Sequence, residues 1–419
     1  MTHHPPAQRL RIVVAGLMGG LPLAGLTAHY LQYVLGLRDL GHDVLYLEDT
    51  EWHYDPWSKT YCDAWTEARV PDSARPTVFL DRLMRSHDLG HRWTWTDVGG
   101  ERFGLTGRHL TEFLSGADLF IHVTGAGIMR EEYLDIPRRA YVDTDPGYVQ
   151  MRTAATGDPA ELAHLENHTV HFSFGRNLGA PDCAIPDLGL VWHPTSQPIC
   201  LDLWPQAGPP ARDAAMTTVI KWKPYDSIEW GGRRYGMKDE EFIRFVELPG
   251  RSPVPLELAM EGPPPRPEDQ LRQAGWRVKD ALSISGSLDD YRAYVHASRG
   301  EWAVAKNAYV DARSGWFSDR SATYLASGRP VVLQATGWER YLPTGEGLFA
   351  FDTEDEALAA LDRIEADPQR HRRAAREVAE EHFHGSTILT ELVSTAMAAP
   401  AGAGARVKLP DPTPPTPAP

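Results

Sequence analysis

Apolar positions in this chain gather into short runs separated by polar segments, and the runs alternate with stretches of helical period. A run of about four to eight apolar residues closed by glycine predicts a buried strand, whereas apolar residues returning every three or four positions predict a helix with one buried face. "RLRIVVAG", ending at Gly16, reads as a strand, "LMGGLPLAG" as a glycine-rich turn, and "LTAHYLQYVLGLRDLGH" as an amphipathic helix stopped at Gly41-His42. "DVLYLED" is the next strand, so residues 10–49 form a strand–helix–strand unit with a parallel pair. "ADLFIHVTG" (117–125), "RRAYVDTD" (138–145) and "HTVHFSF" (168–174) continue the alternation. One intervening helix is marked by Asp158 at its cap, Pro159 in its first position and Glu161 three residues after the cap.

A second set of such units fills the C-terminal half. "EWAVAKNAYV" (301–310) predicts a strand, followed by the loop "SGWFSDRS", a short helix with Ala322, Leu325 and Ala326 inward, and the strands "RPVVLQ" and "GEGLFAF". Thr353 and Glu356 form a capping-box pattern ahead of a helix carrying Leu358, Leu361 and Ile364 on one face. The Pro- and Trp-rich stretch "IPDLGLVWHPTSQPICLDLWPQAGPPARD" between the halves has the composition of a hinge. The pattern therefore predicts two parallel-sheet α/β domains, 10–200 and 201–395, with residues 1–9 and the Pro/Ala-rich segment 396–419 unstructured. "EGPPPRPED" (261–269) reads as a surface loop, and no short fixed period suggests a solenoid or propeller.

Charge narrows the partners. Lys plus Arg is 42 against 57 Asp plus Glu, a formal charge of −15 that argues against nucleic acid or an anionic membrane as the main partner. Cys62, Cys183 and Cys200 have neither metal-ligand nor disulfide spacing, so a reduced, cytoplasmic protein without a metal site is expected. No apolar run reaches the roughly 18 residues of a membrane span, and "MTHHPPAQR" lacks the apolar stretch of a signal peptide.

The loop at 314–321 carries the most chemistry. A loop that follows a parallel strand and opens a helix presents unpaired N–H groups at the positive end of the helix dipole, where an anion is stabilised. Ser314, Ser318, Asp319, Arg320 and Ser321 stand at that mouth, with Trp316 and Phe317 offering flat faces to a base or sugar. The plainer alternative is that Ser318 or Asp319 only caps the helix and Arg320 is an ion pair. Lys306 and Asn307, ending a predicted buried strand, are further candidates for donor contacts, a core Lys with an acidic partner being the alternative. Lys221, Lys223, Arg233, Arg234 and Lys238 are cations in the segments that follow the hinge.

Together, "LRDLGHDVLYL", "ATYLASGRPVV", "GLFAFDTEDEALAALDRI" and "DPQRHRRAAREVAEEHF" resemble the glycosyltransferases of the GT-B fold over most of residues 10–395. The resemblance implies two Rossmann-like domains facing across a cleft, with a sugar nucleotide on the C-terminal one and no bound cofactor. It implies a hexosyltransferase that moves a sugar from a nucleoside diphosphate to a small-molecule or glycan acceptor without metal. It also implies that cations such as Lys223, Lys238, Lys306 and Arg320 neutralise the departing diphosphate. At the two positions where many retaining members carry glutamate this chain has Gly315 and Thr323, while Arg320 is similar to an arginine of the spore-coat-type transferases. An inverting enzyme needs a base near the acceptor. Asp145, in "YVDTDPGY" where a strand meets its loop, is the first candidate, with His122 and Asp143 behind it, and Gly19 and Gly20 are expected to face the acceptor. Asp145 could equally be a turn cap before Pro146.

Three other readings stay open at this point. Gly16, Gly19 and Gly20 followed by a helix, a strand and Glu48 approximate a dinucleotide fingerprint, which would make the protein an NAD-dependent oxidoreductase. A sugar-nucleotide epimerase of the same fold would bind the donor but need no acceptor. A binding-only relative would retain the donor and lack turnover.

Overall fold

The computed structural model describes residues 9–49, 54–55, 60–62, 69–70, 74–97, 99–222, 226–261 and 267–410. The expectations attached to Lys223, to most of the N-terminal segment and to residues 411–419 fall outside them. Two compact units emerge, one of residues 1–144, 163–172 and 385–406, the other of 145–162, 173–384 and 407–419.

In the first unit the strands run in the order Arg139–Asp143, Leu119–Val123, Arg11–Ala15, Asp43–Asp49, Trp93–Thr96, Arg102–Gly104. All neighbours are parallel except the last pair, which is antiparallel. Ile12, Val13 and Val14 are fully buried, as the unbroken apolar run requires when both faces of a parallel sheet are covered. The helix Ala24–Asp39 follows the glycine-rich turn as expected. Its outer neighbour, Gly385–Ala398, joins this unit from the far end of the chain. Residues beyond it, expected to be unstructured, are tied down: Gly402 N–H donates to the Pro137 carbonyl (2.8 Å) and Ala405 N–H to that of His168 (2.9 Å).

The second unit holds six parallel strands in the order Arg277–Asp280, Leu256–Glu261, Met216–Lys221, Gly300–Ala303, Val331–Gln334, Leu348–Phe351. Counted along the chain this is 3-2-1-4-5-6, the doubly wound order. Trp302, Phe242, Phe245, Trp276 and Phe351 fill one face. The capping box closes as read: Thr353 Oγ1 accepts from Glu356 N–H (3.3 Å), and Glu356 Oε2 accepts from Thr353 N–H (3.0 Å). Asp158 likewise caps its helix, accepting from Ala160 N–H at 2.8 Å.

Two expectations change. The predicted strand 301–310 is shorter, Gly300–Ala303, and a helix Asn307–Asp311 begins inside the same apolar run. The ladder ends because Ala305 N–H turns to the Gln334 side chain (3.1 Å), a partner that periodicity cannot show. The Pro/Trp-rich stretch, expected near the boundary of the halves, falls within one unit, in residues 173–384. Its carbonyls are clasped by arginines: Arg376 donates to Trp204 (2.9 Å), Arg372 to Ala207 (2.6 Å), Arg329 to Gly208 (2.9 Å) and Arg299 to Arg212 (2.5 Å).

Candidate functional site

In an open parallel sheet, ligands bind beyond the carboxyl ends of the strands where the order reverses, because two neighbouring loops diverge there. In the second unit that point lies between Met216–Lys221 and Gly300–Ala303. From the first strand the chain passes through the hairpin Ile228–Trp230 and Arg233–Tyr235 to Lys238. The hairpin turns on Gly231 (φ 59°) and Gly232 (φ 72°), left-handed positions that suit a two-residue turn without a Cβ. From the second strand two residues, Val304 and Ala305, lead to Lys306, the cap residue of the helix Asn307–Asp311.

Lys306 is nearly buried, its side chain 10% exposed, and its ammonium donates to both oxygens of Asp145 at 2.5 and 2.7 Å. The same nitrogen lies 4.6 Å from the ring centre of Tyr148 and 5.2 Å from that of Tyr309, within cation–π range of two aromatic faces. Arg320 turns inward, where its Nε bonds the fully buried Glu301 carboxylate and its Nη1 donates to the Val219 carbonyl at 2.6 Å. Lys238 is the third cation. Burial, then the charges of Arg320 and Lys306, pull its ammonium from the ordinary 10.5 down to about 7. Among the described residues it has no ion-pair partner, whereas Lys306 and Arg320 are each paired.

The loop 314–321 is built as its cap pattern requires. Ser318 Oγ accepts from Ser321 N–H (3.4 Å) and opens the helix Asp319–Ala326. Ser314 Oγ donates to the Tyr309 carbonyl (3.3 Å) and accepts from Trp316 N–H (3.2 Å). Ser321 Oγ is buried without a hydrogen-bond partner among the described residues.

At the corresponding edge of the first unit, Glu48 is fully buried and accepts from Gly19 N–H (2.7 Å), Gly20 N–H (2.7 Å), the Tyr46 hydroxyl (2.7 Å) and Trp95 Nε1–H (3.2 Å). Burial raises its carboxyl above the usual range, while these four donors oppose the shift. The glycine turn's amides are thus occupied by a side chain of the protein. A pyrophosphate would have to displace it, which removes the basis of the dinucleotide reading.

His122, in the same unit, is fully buried within a group of histidines. His168 Nδ1 lies 2.8 Å from the His164 carbonyl, which can only accept, so His168 Nε2 is the acceptor for His122 Nδ1–H at 3.1 Å. His122 Nε2 then receives Gly127 N–H at 2.9 Å. Burial, with His164 nearby, holds this ring well below the ordinary histidine range and hence neutral. One ring nitrogen is spent on His168 and the other on the 124–127 loop, which leaves neither for an acceptor proton.

No model of a known protein family matches the chain, and no curated protein matches it. Solved structures do. An alpha-glucosyltransferase in complex with UDP and DNA aligns over 92% of this chain and 99% of its own, with 12% identity and a TM-score of 0.55. HepE from Anabaena, in complex with UDP and glucose, covers 93% and 100% at 12% identity with a TM-score of 0.54. Sucrose-phosphate synthase from Thermosynechococcus elongatus covers 92% and 98% at 14% identity and 0.50. The fold is of the GT-B type.

Within this GT-B chain the sequence-derived donor set divides. Lys306 and Arg320 both come within electrostatic reach of Lys238 at the switch point, as do the carboxylates of Asp319 and Glu301. Asn307 is used internally: its Oδ1 accepts from Gly236 N–H (2.9 Å) and its Nδ2 donates to Glu241 (2.9 Å), so it holds the Lys238 loop rather than facing a ligand. Ser314 and Ser318 are turn and cap residues, and Arg320 is held by Glu301 instead of standing open as a phosphate fork. Asp319 is the first residue of its helix, half-buried. Asp143 is 2% exposed at the end of its strand. Asp145 belongs to the second unit of the GT-B chain, beside Lys306, and not with Asp143 and His122. Glu301, Tyr148 and Tyr309 were not anticipated. A glutamate opening a buried strand in "RGEWAVA" is the signal that a cationic partner exists.

Proposed function

We propose that this protein is a glycosyltransferase that carries a hexosyl group from a nucleoside-diphosphate sugar to the hydroxyl or amine of a small-molecule or glycan acceptor. The observation that supports the reading most is the convergence of Lys238, Lys306 and Arg320 at the switch point of the second sheet, with Lys238 in no ion pair among the described residues. Lys306 and Arg320 are offset by Asp145 and Glu301, and Lys238, on which Asp319 and Glu301 act without an ion pair, is the cation a diphosphate would pair. Two neighbours of the same fold are in complex with UDP, which makes a nucleoside diphosphate the natural occupant. A protein of net charge −15 is poorly suited to a polyanionic acceptor such as DNA.

In the reaction the acceptor oxygen or nitrogen forms a bond to the anomeric carbon as the bond from that carbon to the phosphate oxygen breaks. The electron pair leaves with the diphosphate, where the cations stabilise it without need of a metal. The acceptor proton passes to Asp145, whose side chain is 33% exposed beside Lys306. Calorimetric titration with UDP, GDP, dTDP and NAD tests the reading: one of the diphosphates should bind and NAD should not. Binding of NAD alone would refute it, and turnover of the sugar nucleotide with no acceptor present would favour an epimerase.

A further inference from the structure

We propose that Asp145 is an internal counter-ion of Lys306 that the donor diphosphate displaces, so that donor binding recruits the ammonium and uncovers the carboxylate together. The inference rests on the switch point being a diphosphate site, and it assigns that site an order of events. Asp145 holds Lys306 through both carboxylate oxygens, at 2.5 and 2.7 Å. The two partners differ in setting: the lysine side chain is 10% exposed and packed against Tyr148 and Tyr309, whereas that of Asp145 is 33% exposed. The ammonium is therefore fixed in place by aromatic faces that remain when its carboxylate partner changes.

Exchange is favoured by charge. One carboxylate offsets one cation, but Lys238 and Arg320 lie close enough to Lys306 for their charges to act together on Lys238. A diphosphate carries more negative charge than a carboxylate and can engage Lys238 and Lys306 at once. While paired, Asp145 has both oxygens turned to the Lys306 ammonium, so neither is turned to an acceptor proton. Once Lys306 swings its N–H groups to the phosphate, the carboxylate can take the acceptor's proton while the electron pair of the broken carbon–oxygen bond leaves on the diphosphate. Proton acceptance is thereby confined to the donor-loaded enzyme.

The test is titration of UDP, GDP and dTDP into the wild type, D145N, K306M and the double variant, with the diphosphate that binds the wild type most tightly as probe. D145N is expected to bind it about tenfold more tightly, since Lys306 no longer has to leave a carboxylate, and in the K306M background the same change should alter Kd less than twofold. Unchanged or weaker binding by a folded D145N overturns the inference, because a purely structural pair would lose affinity when broken. Should D145N not fold, carbodiimide labelling of wild-type Asp145, read by mass spectrometry, serves instead: UDP should increase the labelling, and protection by UDP overturns the exchange. Failure of all three diphosphates to bind the wild type refutes the underlying site, an outcome distinct from either of these.

Discussion

Lys238 gives the donor site a measurable proton. Its ammonium is drawn from 10.5 to about 7 by burial and by the neighbouring Arg320 and Lys306 charges, a penalty on the order of 5 kcal/mol on the charged form at ~1.36 kcal/mol per pH unit. A diphosphate reverses the balance by favouring the charged form, so binding must take up a proton: roughly half of one at pH 7 and nearly a whole one above pH 8. Because the nucleotide's own ionisation is complete above about pH 7, affinity should then fall by roughly fifty-fold between pH 7 and 9, following the protonated fraction of Lys238. Calorimetry in two buffers of different ionisation enthalpy measures the uptake directly. Lys238→Met should weaken binding about 10- to 100-fold at pH 6.5, the loss of one charge-assisted contact, and match the wild type near pH 9. Linkage fixes the sign for the free protein as well. The unfolded chain binds the extra proton between about 7 and 10.5, so this residue makes the unliganded fold more stable as pH rises through that window. Wild-type affinity flat within twofold from pH 6.5 to 9, or an equal decline in the methionine variant, would refute the reasoning.

Other perturbations separate structure from chemistry. Arg320→Met leaves the fully buried Glu301 without its cation, so urea denaturation should show a loss of about 3–5 kcal/mol; a loss below 1 kcal/mol would show that Glu301 protonates or finds water. Glu48→Gln turns an amide N–H₂ toward donors that need an acceptor, for an expected cost of about 2–4 kcal/mol by the same method, with no gain of NAD binding by calorimetry. Thr353→Ala removes one side of the capping box and should cost about 1 kcal/mol, seen as a small drop in Tm with donor affinity unchanged.

Features whose partners lie close in sequence were legible from it. The Thr353–Glu356 box, the Asp158 cap and the Ser318 cap each join residues two or three positions apart, and all form as their patterns indicate. The parallel strands were legible because burial on both faces demands unbroken apolar runs. Long-range partners left no local trace. Nothing near Arg320 names Glu301, nineteen residues upstream, and nothing near Lys306 names Asp145, which is 161 positions away. Glu48 sits where a ribose ligand would be sought, yet only the fold shows its oxygens filled by Gly19 and Gly20. Lys238 did carry a signal. It is the first residue of the helix Lys238–Phe242, one cation ahead of Asp239, Glu240 and Glu241, although nothing beside it names Arg320 or Lys306.

The discontinuous make-up of the two units bears on how the protein can be taken apart. A cut at residue 200, where the sequence suggests a boundary, would leave Asp145 on one piece and Lys306 on the other, and would strip the first unit of its Gly385–Ala398 helix. Neither piece would contain one whole unit, so each would expose core surface until the two met again. Joined by re-association, they would make a split protein whose recovered fold reports on the pairing of its halves.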